Sequence, residues 1–164
     1  MDNQLKIIGS TELVSVEGVK NVPAKIDTGA DSSSIWVSHL DVTKDGLLTF
    51  QLFDESSPLY TGKTIARRDF KALVVRSSNG HEQIRYRTEL TLEFDGQKYP
   101  TMFTLANRSR NNFPVLIGRK TLTGHFLVDV SIRNVEKPKN PKSRGLNDEL
   151  VKDPYAFHQK YGII

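Results

Sequence analysis

One carboxylate stands out by its setting. Ala24-Lys25-Ile26 is a strand-like approach that delivers Asp27 into Thr28-Gly29-Ala30-Asp31. A carboxylate at a strand end, beside a glycine that exposes backbone amides, is placed for general acid/base work. Read by itself, the run is equally a polar turn after a strand. Other chemistries are poorly served. The chain has no cysteine, so disulfides, thiolate zinc sites and a thiol nucleophile are excluded. His39, His81, His125 and His158 are scattered without paired ligand spacing, so no metal is expected. There is no Gly-rich phosphate loop, and neither ATP nor another cofactor is expected.

The elements that must position Asp27 read as short strands. Leu5–Ile8 and Glu12–Val16 are strands with a turn at Gly9-Ser10, and Val22–Asp27 follows the turn at Gly18–Asn21. Ser34–Val37 is apolar and strand-like, with Trp36, the only tryptophan, expected in the core. Leu47–Phe53 and the strand-rich run Thr64–Arg76 come next, around a polar loop at Asp54–Gly62. Ser77-Ser78-Asn79-Gly80 is a hairpin signal, because Asn-Gly favours the positive φ of a tight turn. Ile84 to Phe94 alternates: Ile84, Tyr86, Thr88, Leu90, Leu92 and Phe94 share one face, and Arg85, Arg87, Glu89, Thr91 and Glu93 the other. Asp95-Gly96 turns the chain into a strand over Lys98–Ala106. After the basic loop Asn107–Asn112, Phe113–Arg119 is a buried strand ending in glycine, Lys120–Thr123 has room for one helical turn, and Phe126–Val130 is the last core strand.

Many short strands and few helices predict an all-β, closed or folded-over domain at 1–135. Residues 136–164 read as a basic linker and tail. Lys137-Pro138-Lys139-Asn140-Pro141-Lys142 cannot build a core, and Leu146–Tyr161 has room for a short helix, with Asn147 as its N-cap and Pro154 interrupting or restarting it. Net charge is +4, and residues 137–164, with six basic against three acidic side chains, carry most of the excess. The composition, 37% hydrophobic and 26% charged, suits one ordinary core. No apolar run approaches the ~18 residues of a membrane span, and the N-terminus lacks a basic n-region and long apolar run, so a cytoplasmic protein is the default expectation.

Asp27-Thr28-Gly29-Ala30-Asp31, a central hairpin, and then Val115-Leu116-Ile117-Gly118-Arg119 occur in the order of the retropepsin pattern. With Arg76–Glu82, Arg85, Arg87, Thr104–Arg108, Pro114–Leu122 and Gly124–Asp129, the chain resembles a bacterial retropepsin-like aspartic peptidase family. The resemblance covers roughly residues 10–132. Members carry the label ATP-dependent zinc protease, and related domains are associated with ATP-grasp ligases that add glutamate to a ribosomal protein. Many members have a histidine where Trp36 stands here, which argues against inheriting zinc from that label.

The resemblance implies a closed acid-protease barrel with one short helix after the Gly-Arg strand. It also implies that Asp27 is catalytic, supported by Thr28, Gly29, Ala30, Asp31, Gly118 and Arg119. No second Asp-Thr-Gly occurs, so the second carboxylate of the dyad should come from Asp27 of a symmetry mate, giving a homodimer. Thr28 would hydrogen-bond across the dyad, and Asp31 and Arg119 would form a buried pair tying the catalytic loop to the Gly-Arg segment. The alternative for that pair is two unrelated surface charges. The hairpin at Asn79-Gly80, with Arg76, His81, Arg85 and Arg87, is the flap candidate; its polarity favours a polar or acidic peptide, although an ordinary charged hairpin reads the same way.

The leading functional expectation is an aspartic endopeptidase acting on a peptide or protein substrate, with a link to a glutamate-ligase pathway. A non-catalytic module of the same fold, binding peptides or a partner enzyme, is the alternative. RNA binding through the tail and Arg108 and Arg110 is a third reading, and nucleic acid is not the expected partner.

Overall fold

The structure, a computed structural model, describes residues 4–77, 79–136 and 144–162. The proline- and lysine-rich linker over 137–142 lies outside the described residues, as does Ser78 of the hairpin.

Eleven strands and three helices follow in order: β1 (Lys6–Ile8), β2 (Thr11–Val16), β3 (Val19–Ile26), β4 (Ser33–Val42), β5 (Leu48–Leu52), β6 (Thr64–Arg67), β7 (Phe70–Arg76), β8 (Glu82–Phe94), β9 (Gln97–Ala106), β10 (Val115–Ile117), α1 (Arg119–Leu122), β11 (Phe126–Val128), α2 (Arg144–Lys152) and α3 (Pro154–Tyr161). The main sheet runs β10-β3-β2-β8-β9-β4 and closes on itself, because β10 also pairs antiparallel with β4. The result is the expected all-β, retropepsin-like closed barrel, of six strands. β5 and β6 extend the sheet from β4, and β7 pairs with β8 to form the long hairpin.

The barrel forms because alternating strands turn one face inward. Val16, Val22, Ile35, Leu90, Phe103 and Val115 are buried in one continuous core. Trp36 belongs to it, edge-on to Phe53 at a centroid distance of 6.0 Å. The alternation of β8 is met for Thr88, Leu90 and Leu92, but Ile84 is 73% exposed. The hairpin runs past the barrel, so its periodicity continues where there is no core to receive it. At the other end of β8, Asp95 (φ 51°) and Gly96 (φ 74°) form the tight turn into β9.

Two local readings change. β1 does not fold back on β2; it pairs in parallel with β11, from the other end of the domain. Ser10 and Thr11 then bond to the segment after β11, and the buried Glu12 carboxylate accepts from Gly9 N at 2.7 Å and from Asn134 Nδ2 at 2.8 Å. In the tail, two helices form, and the N-cap expected at Asn147 is not found. Pro154 starts α3 behind an Asp153 cap that accepts from Ala156 N, and Asn147 lies inside α2 rather than capping it.

A tight crossing lies where β10 ends. A Cβ on Gly118 would come within 2.6 Å of the Ser32 backbone carbonyl and 2.9 Å of the Ala30 oxygen. Those are backbone atoms of the Asp27 turn, with no side chain free to swing aside. Gly118→Ala is therefore expected to destabilise the fold by about 1–3 kcal/mol or more, measured by urea denaturation. A stability equal to the parent's would show that the crossing is not tight.

Candidate active site

Asp27 follows directly on β3. Its N–H donates to Ile117 O at 2.8 Å, which continues the parallel β3–β10 ladder up to the turn. Gly29 N donates to Asp27 Oδ1 at 3.0 Å, and Ala30 N donates to Asp27 O at 3.2 Å. The carboxylate is thus held from below by its own turn, and Asp27 stays half-buried rather than enclosed.

The turn is fastened to the β10–α1 segment by backbone groups. Arg119 N donates to Ala30 O at 2.8 Å and Lys120 N to Asp31 O at 3.1 Å. The buried Ser33 adds a side-chain clasp: its Oγ accepts from Gly118 N at 3.1 Å and shares a 2.7 Å hydrogen bond with Thr121 Oγ1. Sequence reasoning overlooked Ser33, because a serine in a polar run carries no signal until β10 is placed against it.

Asp31 and Arg119 do form an ion pair, so the two charges are not unrelated. The expectation of a buried pair is corrected: the side chains are 68% and 54% exposed, and Arg119 reaches Asp31 through one nitrogen. The second guanidinium nitrogen points at Thr28 O, at 3.4 Å. Thr28 itself is exposed.

The residues expected to form a flap fall into four settings. Arg76 is paired within the hairpin to Glu82 at 2.8 Å, which neutralises it. Ser77 Oγ donates to Asn79 Oδ1, while Gly80 (φ 82°) closes the turn and His81 stands exposed beside it. Arg85 is half-buried and bonds the Gln83 side chain at 3.1 and 3.2 Å. Arg87 lines a different cavity, with Lys71 and Lys120.

Arg108, which the sequence offered as a nucleic-acid contact, is half-buried and feels the Asp27 charge. Its Nε donates to Phe113 O at 3.2 Å. Burial, and then the neighbouring Arg85 guanidinium, lower its pKa from the usual arginine value, while the Asp27 carboxylate pulls it back up. A partly desolvated cation can receive an anionic group. The four histidines do not gather: His39 pairs with Glu55 at 2.7 Å, and His125 packs edge-on to Tyr99.

With this geometry in place, residues 7–139 match the family described as RimB-like, retropepsin-like aspartic endopeptidase RimB. The chain belongs to the RimB-like family. Among curated relatives it is 30% identical over 139 residues to a Shewanella pealeana protein and 25% identical over 133 residues to one from Desulfotalea psychrophila, both named probable alpha-L-glutamate ligase. The matched segments span 79% and 78% of this chain but 29% of each relative. A Legionella pneumophila structure of unknown function shares the fold, with a TM-score of 0.53 at 19% identity, covering 79% of this chain and 96% of that one. Among the described residues, no helix is long and apolar enough to cross a membrane.

The exposure of the Asp31–Arg119 pair sets an energetic expectation for this RimB-like site. Removing one partner of a buried pair costs about 3–5 kcal/mol, whereas an exposed pair contributes about 0.2–1 kcal/mol. A double-mutant cycle with Asp31→Asn and Arg119→Gln should give a coupling in the lower range, weakening further in salt. A coupling of several kcal/mol would mean that the pair is enclosed in the working assembly.

Proposed function

We propose that the protein is an aspartic endopeptidase that works as a homodimer, with one active site built from Asp27 of each copy. The carrying observation is that Asp27 sits on a fastened turn in a single copy, its Oδ1 occupied by Gly29 N and bonded to no other carboxylate among the described residues. Two such carboxylates brought together by a two-fold axis repel as anions and share one proton. One then takes a proton from water as it attacks the scissile carbonyl, while the other, protonated, polarises that carbonyl. Thr28, exposed on the turn, is available to bond across the dyad.

Features away from the turn support a dimer. β1 and β11 form a two-stranded sheet of their own, with no third strand on either edge among the described residues. Ile7 and Leu127, opposite each other in its register, are 64% and 52% exposed. An open-edged apolar ribbon favours pairing with a second copy. The projecting hairpin carries a second exposed apolar pair, Val74 opposite Ile84, which suits a lid closing over bound peptide. Arg85 and Arg108 favour a peptide with acidic side chains.

The relatives' names favour a second reading: a barrel that acts as a binding module beside a glutamate ligase, without cleavage. One experiment separates the two. Glutamate-rich peptides are incubated with the full chain and products are read by mass spectrometry. Asp27→Asn is expected to lower cleavage by about 10²–10⁴-fold, and specific activity should fall on dilution as dimers dissociate. Cleavage that survives Asp27→Asn unchanged rules out the mechanism. A monomer that binds the peptides without cutting them establishes the module instead.

A further inference from the structure

A row of residues across the sheet carries cations that make no ion pair among the described residues. Lys71 of β7 lies directly opposite Arg87 of β8, Arg87 opposite Thr104 of β9, and Thr104 opposite Ser34 of β4. Like charges directly opposite on neighbouring strands repel, so the Lys71–Arg87 pairing is unfavourable as it stands. Lys120, from α1, joins the same two cations around a cavity of about 450 Å³ whose lining contains no carboxylate. Among the described residues, none of the three makes an ion pair. Arg87 Nε is buried without a hydrogen-bond partner, and so is Ser34 Oγ, in the same row. A buried donor left unmade costs the desolvation of that group.

One kind of ligand removes both penalties. An oxyanion in the cavity would neutralise the facing cations and accept from the unused guanidinium N–H. Arginine offers a planar fork that matches carboxylate or phosphate, and lysines add point charges. The cavity lies within the range of small-ligand sites, and the hydroxyl-bearing Thr101 and Thr104 supply further polar lining. We propose that this cavity is an oxyanion-binding site held by Lys71, Arg87 and Lys120. Its wall includes Ser32, just past the Asp27 turn, and Lys120 N bonds Asp31 O at 3.1 Å. An anion seated there is therefore in contact with the segment that fastens the turn. The anion is either an acidic side chain of a bound peptide, which rests on the peptidase reading, or a free small anion, which does not.

The test uses the full chain at constant ionic strength set with sodium chloride. Calorimetric titration and thermal unfolding are run with inorganic phosphate, glutarate, a glutamate-rich peptide and its glutamine counterpart. Titrations are repeated on Asp27→Asn, so that binding is read without cleavage. Saturable binding of at least one anionic probe is expected, weakened tenfold or more by Lys71→Gln and by Arg87→Gln. Lys71→Gln is exposed and removes a repulsion, so its ligand-free Tm should equal or exceed the parent's. Binding of the glutamate peptide alone assigns the site to a substrate side chain; equal binding of phosphate or glutarate assigns it to a free anion. The proposal is overturned if no anion saturates, if both variants bind as the parent does, or if Lys71→Gln lowers the ligand-free Tm. Binding that persists while the parent chain itself shows no cleavage keeps this site and removes the peptidase reading.

Discussion

The structure depends on one close passage of backbone over backbone. Gly118 crosses the segment from Ala30 to Ser32 with no room for a Cβ, and from that contact the rest of the site follows. It brings the Arg119 and Lys120 amides onto the turn carbonyls, sets Ser33 Oγ under Gly118 N, and lets β10 pair with both β3 and β4 so that the barrel closes. A side chain at this point would separate the strand from the turn, and Asp27 would lose its fixed position along with the closure. The Asp27 turn and the barrel seam are therefore the same construction. Fold stability and site geometry are one constraint here.

Backbone hydrogen bonds, rather than charges, hold this construction. The Asp31–Arg119 pair lies on the surface, where water competes for both partners, and it adds little to what the amide–carbonyl bonds already hold. The cations without an ion pair among the described residues form two sets. Arg108 feels the charges of both Arg85 and Asp27, while Lys71, Arg87 and Lys120 gather round a separate cavity. Burying a cation such as Arg108 or Arg87 without a counter-charge costs desolvation. This charge distribution, concentrated on the hairpin, the Arg108 loop and α1, gives the barrel a surface unlike an apolar peptide cleft.

Much of this architecture was legible in the chain because its signals are local. Alternation in β8 marks an inward face wherever the barrel receives it, and Asn79-Gly80 and Asp95-Gly96 mark turns because few residues accept positive φ. Asp27 with Val115–Arg119 pointed to the family and the closed barrel. The misreadings share one cause. β1 was read with its sequence neighbour, yet its partner β11 lies more than a hundred residues away. Ile84 shares a face with Leu90 and Leu92 yet is exposed, because periodicity does not report where a barrel ends. Asp31–Arg119 was read as buried because residue types do not report depth.

The sequence by itself determined the class of fold, the turn that carries Asp27, and the need for a second copy if that carboxylate is to form a dyad, since each follows from residue types and their order along the chain. The tertiary structure alone decided how the charges group. Arg76, Arg85 and Arg87 lie within a dozen residues of one another, yet one is neutralised by Glu82, one approaches Arg108 near Asp27, and one faces Lys71 and Lys120. Their fates differ because electrostatic interactions depend on distance through space, and strand register and closure at Gly118 determine those distances.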